Sequence, residues 1–214
     1  MEKWNLTRLL EKSAQDHTHL CPRQVLGVRM GLAGLEVLGF SSPPEDKKLL
    51  IISETDGCFV DGLMAATNCS VGHRTLRVED YGKVAATFVD IERERAVRIA
   101  PHPLARQKAR EYAPQETRHY FAQLRGYQFM PDEELFVFQD VRLTTMAKGL
   151  MGRPGVRVNC SVCGEEIINQ RELERDGKPI CRHCALGGYY HCGSAATLSL
   201  EFALDINAED VYHL

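Results

Sequence analysis

Apolar and polar positions alternate along this chain in two clear registers. Residues 4–15 place Trp4, Leu6, Leu9 and Leu10 on one side of a short helix. From about Arg23 to Leu38, Val25, Leu26, Val28, Met30, Leu32, Leu35 and Val37 cover much of a helical circumference. Gly27, Gly31 and Gly34 add a stripe of small residues at near-helical spacing, which predicts a buried helix lying close to a neighbour. Pro22 suits the first turn of that helix, Gly39 ends it, and Ser41-Ser42-Pro43-Pro44 is a loop. Residues 48–54 predict a strand, Thr55-Asp56-Gly57-Cys58 the turn out of it, and residues 59–68 a short helix. Residues 76–78 predict a strand, and residues 83–91 and 95–100 a hairpin with an irregular turn at Glu92-Arg93-Glu94. Residues 105–112 and 114–124 are expected to be helical and largely exposed. Residues 134–143 are expected to be a strand, with Leu135, Val137 and Val141 alternating.

Three glycines and a proline between Gly149 and Gly155 predict a hinge. Further on, Leu198, Leu200, Phe202, Leu204 and Ile206 alternate strictly with Ser199, Glu201, Ala203 and Asp205. This tail reads either as a strand added to a sheet edge or as an unordered segment. The organisation expected is a core over 1–150, a four-cysteine ribbon over 151–192 and a tail over 193–214. The fold class expected is α+β: an α/β core with a mixed sheet and flanking helices, plus a small cysteine-bearing C-terminal domain.

Composition changes this picture little. With 214 residues, 44% hydrophobic and 26% charged, the chain is an ordinary globular protein. A formal net charge of −3 gives no global sign of nucleic acid or a membrane surface. No apolar run reaches the length of a spanning helix, and the charged amphipathic start does not read as a signal peptide. A cytoplasmic location is therefore expected, and the eight cysteines read as metal ligands or free thiols rather than disulfides. The basic run containing Arg93, Arg95, Arg98, Arg106, Lys108, Arg110 and Arg118 reads as a solvated face.

The cysteine spacing is more specific. Cys160-Ser-Val-Cys163 and Cys181-Arg-His-Cys184 are two Cys-x-x-Cys knuckles separated by seventeen residues. That spacing is the signature of a tetrahedral four-thiolate zinc site, each knuckle placing two sulfurs on one tight turn. Gly164 follows the first knuckle, and Asp176-Gly177 is a hairpin signal inside the spacer. A closed four-cysteine site stabilises folding rather than catalysing. Acidic and basic residues balance over 156–192, which counts against nucleic-acid binding by the ribbon. Cys192 reads as a free thiol, and His73 and His102 as surface residues.

A second constellation lies at His17-Thr18-His19-Leu20-Cys21-Pro22. In an extended segment, positions 17, 19 and 21 point to one side. Cys58 sits between a strand end and a helix start, where the helix dipole favours thiolate. A set drawn from His17, His19, Cys21, Cys58 and Cys69 would make an open metal site; two surface histidines beside an inert cysteine is the plainer alternative. Asp61 is a candidate proton acceptor beside it, and Lys83 a candidate cation for an anionic ligand.

These residues resemble the FmdE family, whose name comes from formylmethanofuran dehydrogenase. The resemblance is carried by His17-Thr-His19-Leu-Cys21-Pro22, Leu26-Gly27-Val28-Arg29-Met30-Gly31, Glu54-Thr-Asp56-Gly-Cys58-Phe-Val-Asp61-Gly62, Ala65-Ala66-Thr67-Asn68-Cys69, Asp80-Tyr81-Gly82-Lys83 and the double Cys-x-x-Cys. Arg23 stands where that pattern has a small residue. The resemblance implies an α+β core with a zinc ribbon, a homodimer, and a core cleft binding zinc or another transition metal through the first motif and Cys58. It further implies an accessory or stand-alone relative of a molybdenum or tungsten redox enzyme, handling a small anionic or pterin-like ligand. Two other functions stay open on the residues alone. One is a zinc-dependent enzyme of hydrolase type, with Asp61 or Lys83 moving protons. The other is a ribbon module docking a protein or nucleic acid.

Overall fold

The computed structural model describes residues 5–15, 17–145, 149 and 155–190. Trp4, most of the predicted hinge, Cys192 and the 193–214 tail lie outside the described residues. The chain divides into two compact units, Met1–Gly152 and Arg153–Leu214.

The first unit runs α1 (Leu6–Ser13), α2 (Pro22–Val37), β1 (Leu49–Ser53), α3 (Cys58–Thr67), β2 (Leu76–Val78), β3 (Ala86–Asp90) and β4 (Arg95–Pro101), then α4 (Ala105–Lys108), α5 (His119–Phe129), α6 (Asp132–Leu135) and β5 (Phe136–Val141). Its five-stranded sheet has the order β2-β1-β3-β4-β5. Strands β1 and β2 are parallel and joined through α3, while the other pairs are antiparallel, so the sheet is mixed. Alternation along the strands sorts the side chains. Leu49, Ile51, Phe88, Val97 and Ile99 enter the main core with α2 and α3, and Leu50, Val89 and Ala96 form a smaller cluster on the other face. Strand β1 is covered on both faces, which is why its sequence is an unbroken apolar run.

Helices α2 and α3 pack backbone to backbone. A Cβ added at Gly27 would strike the Phe59 carbonyl oxygen, and one added at Gly62 would lie 2.7 Å from the Val28 nitrogen and 2.9 Å from Gly27 Cα. One turn further along both helices, Gly31 lies against Ala66 and Thr67. Contacts that advance together, 27 with 59–62 and then 31 with 66–67, mean that the helices run parallel and that their N-termini lie side by side. At the start of α2, the buried Gln24 accepts from the Cys21 backbone N–H at 2.8 Å and donates to the Ser13 carbonyl at 2.7 Å. That clamp fixes the turn between α1 and α2.

Three expectations are corrected. The helix expected over 114–124 runs instead from His119 to Phe129, where Pro131 forces Met130 out of the helical region. The 105–124 region is largely exposed, as expected, apart from four alanines. Ala105, Ala109, Ala113 and Ala122 are buried, and Gly126 packs directly on the Ala109 backbone. Leu135 closes α6 rather than starting β5. The third correction is partial and concerns the basic run, which is mostly exposed as expected but whose Arg93, Arg95 and Arg98 also bind other parts of the fold. Arg93 and Arg95 donate to the Leu38 and Val37 carbonyls at the C-terminus of α2. The irregular 92–94 turn is held by the buried Asp90 carboxylate, which accepts from the Glu92 and Arg93 backbone N–H groups.

Arg98 grips Glu54 with two hydrogen bonds of 2.6 and 2.8 Å. Glu54 follows the last residue of β1, and its backbone carbonyl accepts from Tyr81 and Lys83. The Arg98 guanidinium holds the Glu54 carboxyl below its ordinary value of 4.5, against the opposing effect of burial. A depressed folded-state pKa contributes stability that is present above the unfolded value and lost as pH falls through the folded one. Arg98→Met is therefore expected to cost about 3 kcal/mol at neutral pH, because it strands a buried carboxylate. The deficit should shrink as pH falls below the ordinary carboxyl value, which urea titrations across that range would measure. A pH-independent deficit would show that the pair is not the cause.

The second unit holds β6 (Arg157–Asn159), β7 (Glu166–Ile168), β8 (Leu173–Arg175), β9 (Lys178–Ile180) and α7 (Arg182–Leu186). β6 pairs with β7 and β8 with β9, both antiparallel. Asp176 and Gly177 turn the second hairpin with φ of 53° and 72°, the left-handed pair that a two-residue turn requires. No helix among the described residues is long and apolar enough to cross a membrane.

Candidate metal centres

In the second unit the first knuckle forms the turn of the β6–β7 hairpin, and the second knuckle opens α7. The four sulfurs of Cys160, Cys163, Cys181 and Cys184 all lie within 4.8 Å of one another. Backbone N–H groups are already aimed at them: Cys181 N to Cys160 Sγ at 3.3 Å, and Cys184 N to Cys181 Sγ at 3.3 Å. Such donors stabilise thiolates. Backbone N–H groups of Cys163 and Cys181 hold Cys160 down at about 6. The neighbouring Cys181 side chain, followed by burial, pushes Cys184 up to about 12. Four crowded sulfurs cannot all ionise alone, whereas a dication removes that conflict, so the donor set can bind a metal ion. Only Cys160, Ile167 and Ile180 form a buried apolar cluster among the described residues of this unit.

In the first unit the candidate site is a product of the parallel α2–α3 pair. Cys21 is the N-cap of α2, Cys58 is the first residue of α3, and Asp61 lies in the first turn of α3. Two positive helix ends therefore converge on one place. His17 reaches it from the turn after α1, its backbone N–H bonded to the Ala14 carbonyl at 3.0 Å. His17 Nε2 and Asp61 Oδ2 are 2.9 Å apart. Donor atoms of His17, Cys58 and Asp61 lie within 4.8 Å of one another, and all three residues are half-buried. Burial, then Cys21, pushes Cys58 up, while the positive charge of Arg23 opposes the shift.

The remaining candidates from the sequence are placed elsewhere. Residues 17–19 form a bend rather than an extended segment, so the expected one-sided alternation breaks down. His19 is exposed, and its ring bonds the Thr18 hydroxyl. Cys69 is buried in the core with its sulfur 3.8 Å from the Leu49 carbonyl oxygen. Lys83 is exposed, and its charge acts on Glu54. One further residue, Tyr120, joins the site without any signal in the sequence. Burial, then charge interaction with Cys21 and Cys58, raises its phenol. No local pattern marks a residue on α5 for a site built from α2 and α3.

A cavity of about 470 Å³ adjoins the site, and His17 and Asp61 form part of its wall. Lys12, Asn68, Ser70 and His73 line it further out. Lys12 Nζ donates to Asn68 Oδ1 at 2.8 Å and to the Ala65 carbonyl at 3.2 Å. An imidazole, a thiol and a carboxylate suit a borderline-soft transition ion better than magnesium or calcium. The Asp61 bond to one ring nitrogen of His17 is the arrangement that orients a ligating imidazole.

Comparisons with known proteins agree with this architecture. The family model described as FmdE, Molybdenum formylmethanofuran dehydrogenase operon, matches residues 17–137. The chain is 30% identical over 213 residues to a protein of Archaeoglobus fulgidus named as a probable S-adenosyl-L-methionine-binding protein. That match covers 86% of this chain and 54% of the other, so the chain spans about half the length of the curated relative it matches. A crystal structure of a tungsten formylmethanofuran dehydrogenase FmdE-like protein from Syntrophus aciditrophicus has the same fold. Its TM-score is 0.54 at 20% identity, covering 88% of this chain and 96% of that one.

Proposed function

The chain belongs to the FmdE family, and from that premise we propose that it is a metal-binding accessory or stand-alone protein of molybdenum or tungsten redox metabolism. In this reading the core site holds zinc or another transition metal through His17, Cys58 and Cys21, with Asp61 orienting His17. A bound metal there would supply an electrophilic centre for a ligand in the adjoining cavity. The ribbon cysteines hold a structural zinc. A homodimer and a cytoplasmic setting belong to the same reading. The observation that carries it is the meeting of His17, Cys58 and Asp61 donor atoms at the paired helix N-termini, beside a cavity large enough for a small molecule. Lys12, His17 and His73 on that wall favour an anionic ligand.

Elemental analysis tests this directly. Wild-type protein is expected to carry two metal ions per chain, a His17→Ala/Cys58→Ser double variant one fewer, and a Cys160→Ser variant to lose the other. A single ion that survives the double variant would sink the core site. S-adenosyl-L-methionine, the ligand in the name of the Archaeoglobus relative, is the first probe for the cavity. Its binding should weaken in Lys12→Met if the cavity is where it sits.

A further inference from the structure

We propose that the cavity beside the core site is a two-ended trough for an elongated small molecule. One end of the ligand binds the core metal. The other is an oxyanion, a carboxylate or phosphate, received by Lys12, Asn68, Ser70 and His73. The first end rests on the reading of His17, Cys58 and Asp61 as metal ligands, whereas the second stands without it. The layout follows from α3. Asp61, Met64, Ala65 and Asn68 line the cavity at positions i, i+3, i+4 and i+7, so the trough runs along one face of that helix. At about 1.5 Å per residue, Asn68 lies about 10 Å beyond Asp61 along the axis. The facing wall comes from the end of α1 and the residues after it. It is tied to α3 at both ends. His17 Nε2 lies 2.9 Å from Asp61 Oδ2 at the metal end, and Lys12 Nζ lies 2.8 Å from Asn68 Oδ1 at the far end. A trough held at both ends has a preset length.

The far end is built of donors. Lys12 bonds the Ala65 carbonyl and Asn68 Oδ1, which leaves one ammonium hydrogen for a ligand. Because Asn68 accepts through Oδ1, its Nδ2 hydrogens are the part left to donate. Ser70 Oγ accepts the His73 backbone N–H at 3.2 Å and keeps its own hydrogen. His73 is exposed and lies on the same wall. Asp61, at the metal end, is the one acid among the described residues that line the cavity. The negative end of the α3 dipole falls at Asn68 and opposes an anion, so the Lys12 charge is what makes the subsite possible. Between the two ends, Met64 and Ala65 offer an apolar wall that suits a short hydrocarbon spacer. A volume of about 470 Å³ is within the range of small-molecule sites.

The full-length, zinc-loaded protein is titrated by calorimetry with mercaptohexanoate, mercaptopropionate, mercaptohexanol and hexanoate. Mercaptohexanoate carries a thiol for the metal and a carboxylate for the far end. It should bind at least about tenfold more tightly than mercaptopropionate, which is too short to span the trough, and than mercaptohexanol, whose far end is uncharged. His73→Ala and Lys12→Met should bring mercaptohexanoate toward the affinity of mercaptohexanol, with the larger loss in Lys12→Met, and leave mercaptohexanol itself unchanged. Circular dichroism checks that Lys12→Met is folded; if it is not, the exposed His73 position carries the test. Equal affinities for mercaptohexanoate and mercaptohexanol, or a mercaptohexanoate affinity untouched by both variants, would overturn the far subsite. Mercaptohexylphosphonate replaces the carboxylate in a parallel titration, and the tighter of the two identifies the preferred oxyanion. Hexanoate separates the two readings. If it binds the wild type and weakens in His73→Ala while mercaptohexanol does not bind at all, the core metal is rejected and the oxyanion subsite stands.

Discussion

Cys160→Ser is expected to strip the metal from the second unit and unfold it. Structural zinc in such small modules contributes about 10 kcal/mol or more of folding free energy at neutral pH. Nothing else among the described residues of the unit can replace that. Its apolar core there is Cys160, Ile167 and Ile180, with Val158 and Leu173 packed against it. So small a cluster cannot offset the ordering entropy of about 35 residues. Cys160 is also the most buried of the four thiols and accepts the Cys181 backbone N–H, so serine removes both a ligand and the residue at the centre of the cluster. Hydrogen exchange on residues 156–190 should rise to unprotected rates in the variant. A chelator should produce the same change in the wild type, more readily at acid pH because the ligand thiolates take up protons as metal leaves. Retention of protection without metal would mean that the hairpins fold unaided.

Much of this architecture is readable from local pattern. The strands β1, β3 and β4, helices α2 and α3, and the Asp176-Gly177 turn each follow from periodicity or turn chemistry within a few residues. Both Cys-x-x-Cys knuckles are equally local. The core site is legible in part because His17, Cys21 and Cys58 are ligand types beside a helix start. What escapes depends on residues far apart in sequence. Arg98 reads as one basic residue among several until strand register places it against Glu54, 44 positions earlier. Asp61 reads as a candidate proton acceptor, but its bond to His17 is visible only once α1 delivers that imidazole across another 44 positions. Tyr120 depends on α5, whose start is hard to place because its first buried positions are Ala122 and Gly126, which carry little hydrophobic signal before Tyr127 is reached. The His17-Thr18-His19 spacing invites a strand reading, yet the chain there is still leaving the last turn of α1.

Gly62→Ala is expected to be among the most destabilising single methyl additions in the first unit. The added Cβ would meet only backbone: the Gln24 carbonyl oxygen, the Val28 nitrogen at 2.7 Å and Gly27 Cα at 2.9 Å. A side chain could rotate away, but a helix backbone cannot, so α2 and α3 must separate along their length. Overpacking of this kind costs typically about 1–3 kcal/mol and occasionally more, and a backbone clash belongs at the upper end. With roughly 2–4 °C lost per kcal/mol in a unit of this size, a fall of about 10 °C in Tm is expected. Gly72→Ala is the control, because its Cβ meets nothing within 4 Å and its backbone is not left-handed. It should leave Tm unchanged or slightly raised, through the smaller entropy of the unfolded chain. Gly31→Ala should fall between the two, since its nearest neighbours are the Ala66 and Thr67 side chains. The same substitution at Gly62 also probes function. Cys58 and Asp61 ride on α3, whereas Cys21 rides on α2 and His17 is tied to it through α1 and Gln24. Forcing the helices apart moves these two halves of the site away from each other. Gly62→Ala should therefore lose the core metal at temperatures where circular dichroism still reports a folded chain. If the variant keeps both its wild-type Tm and its metal, the glycine seam does not position the site.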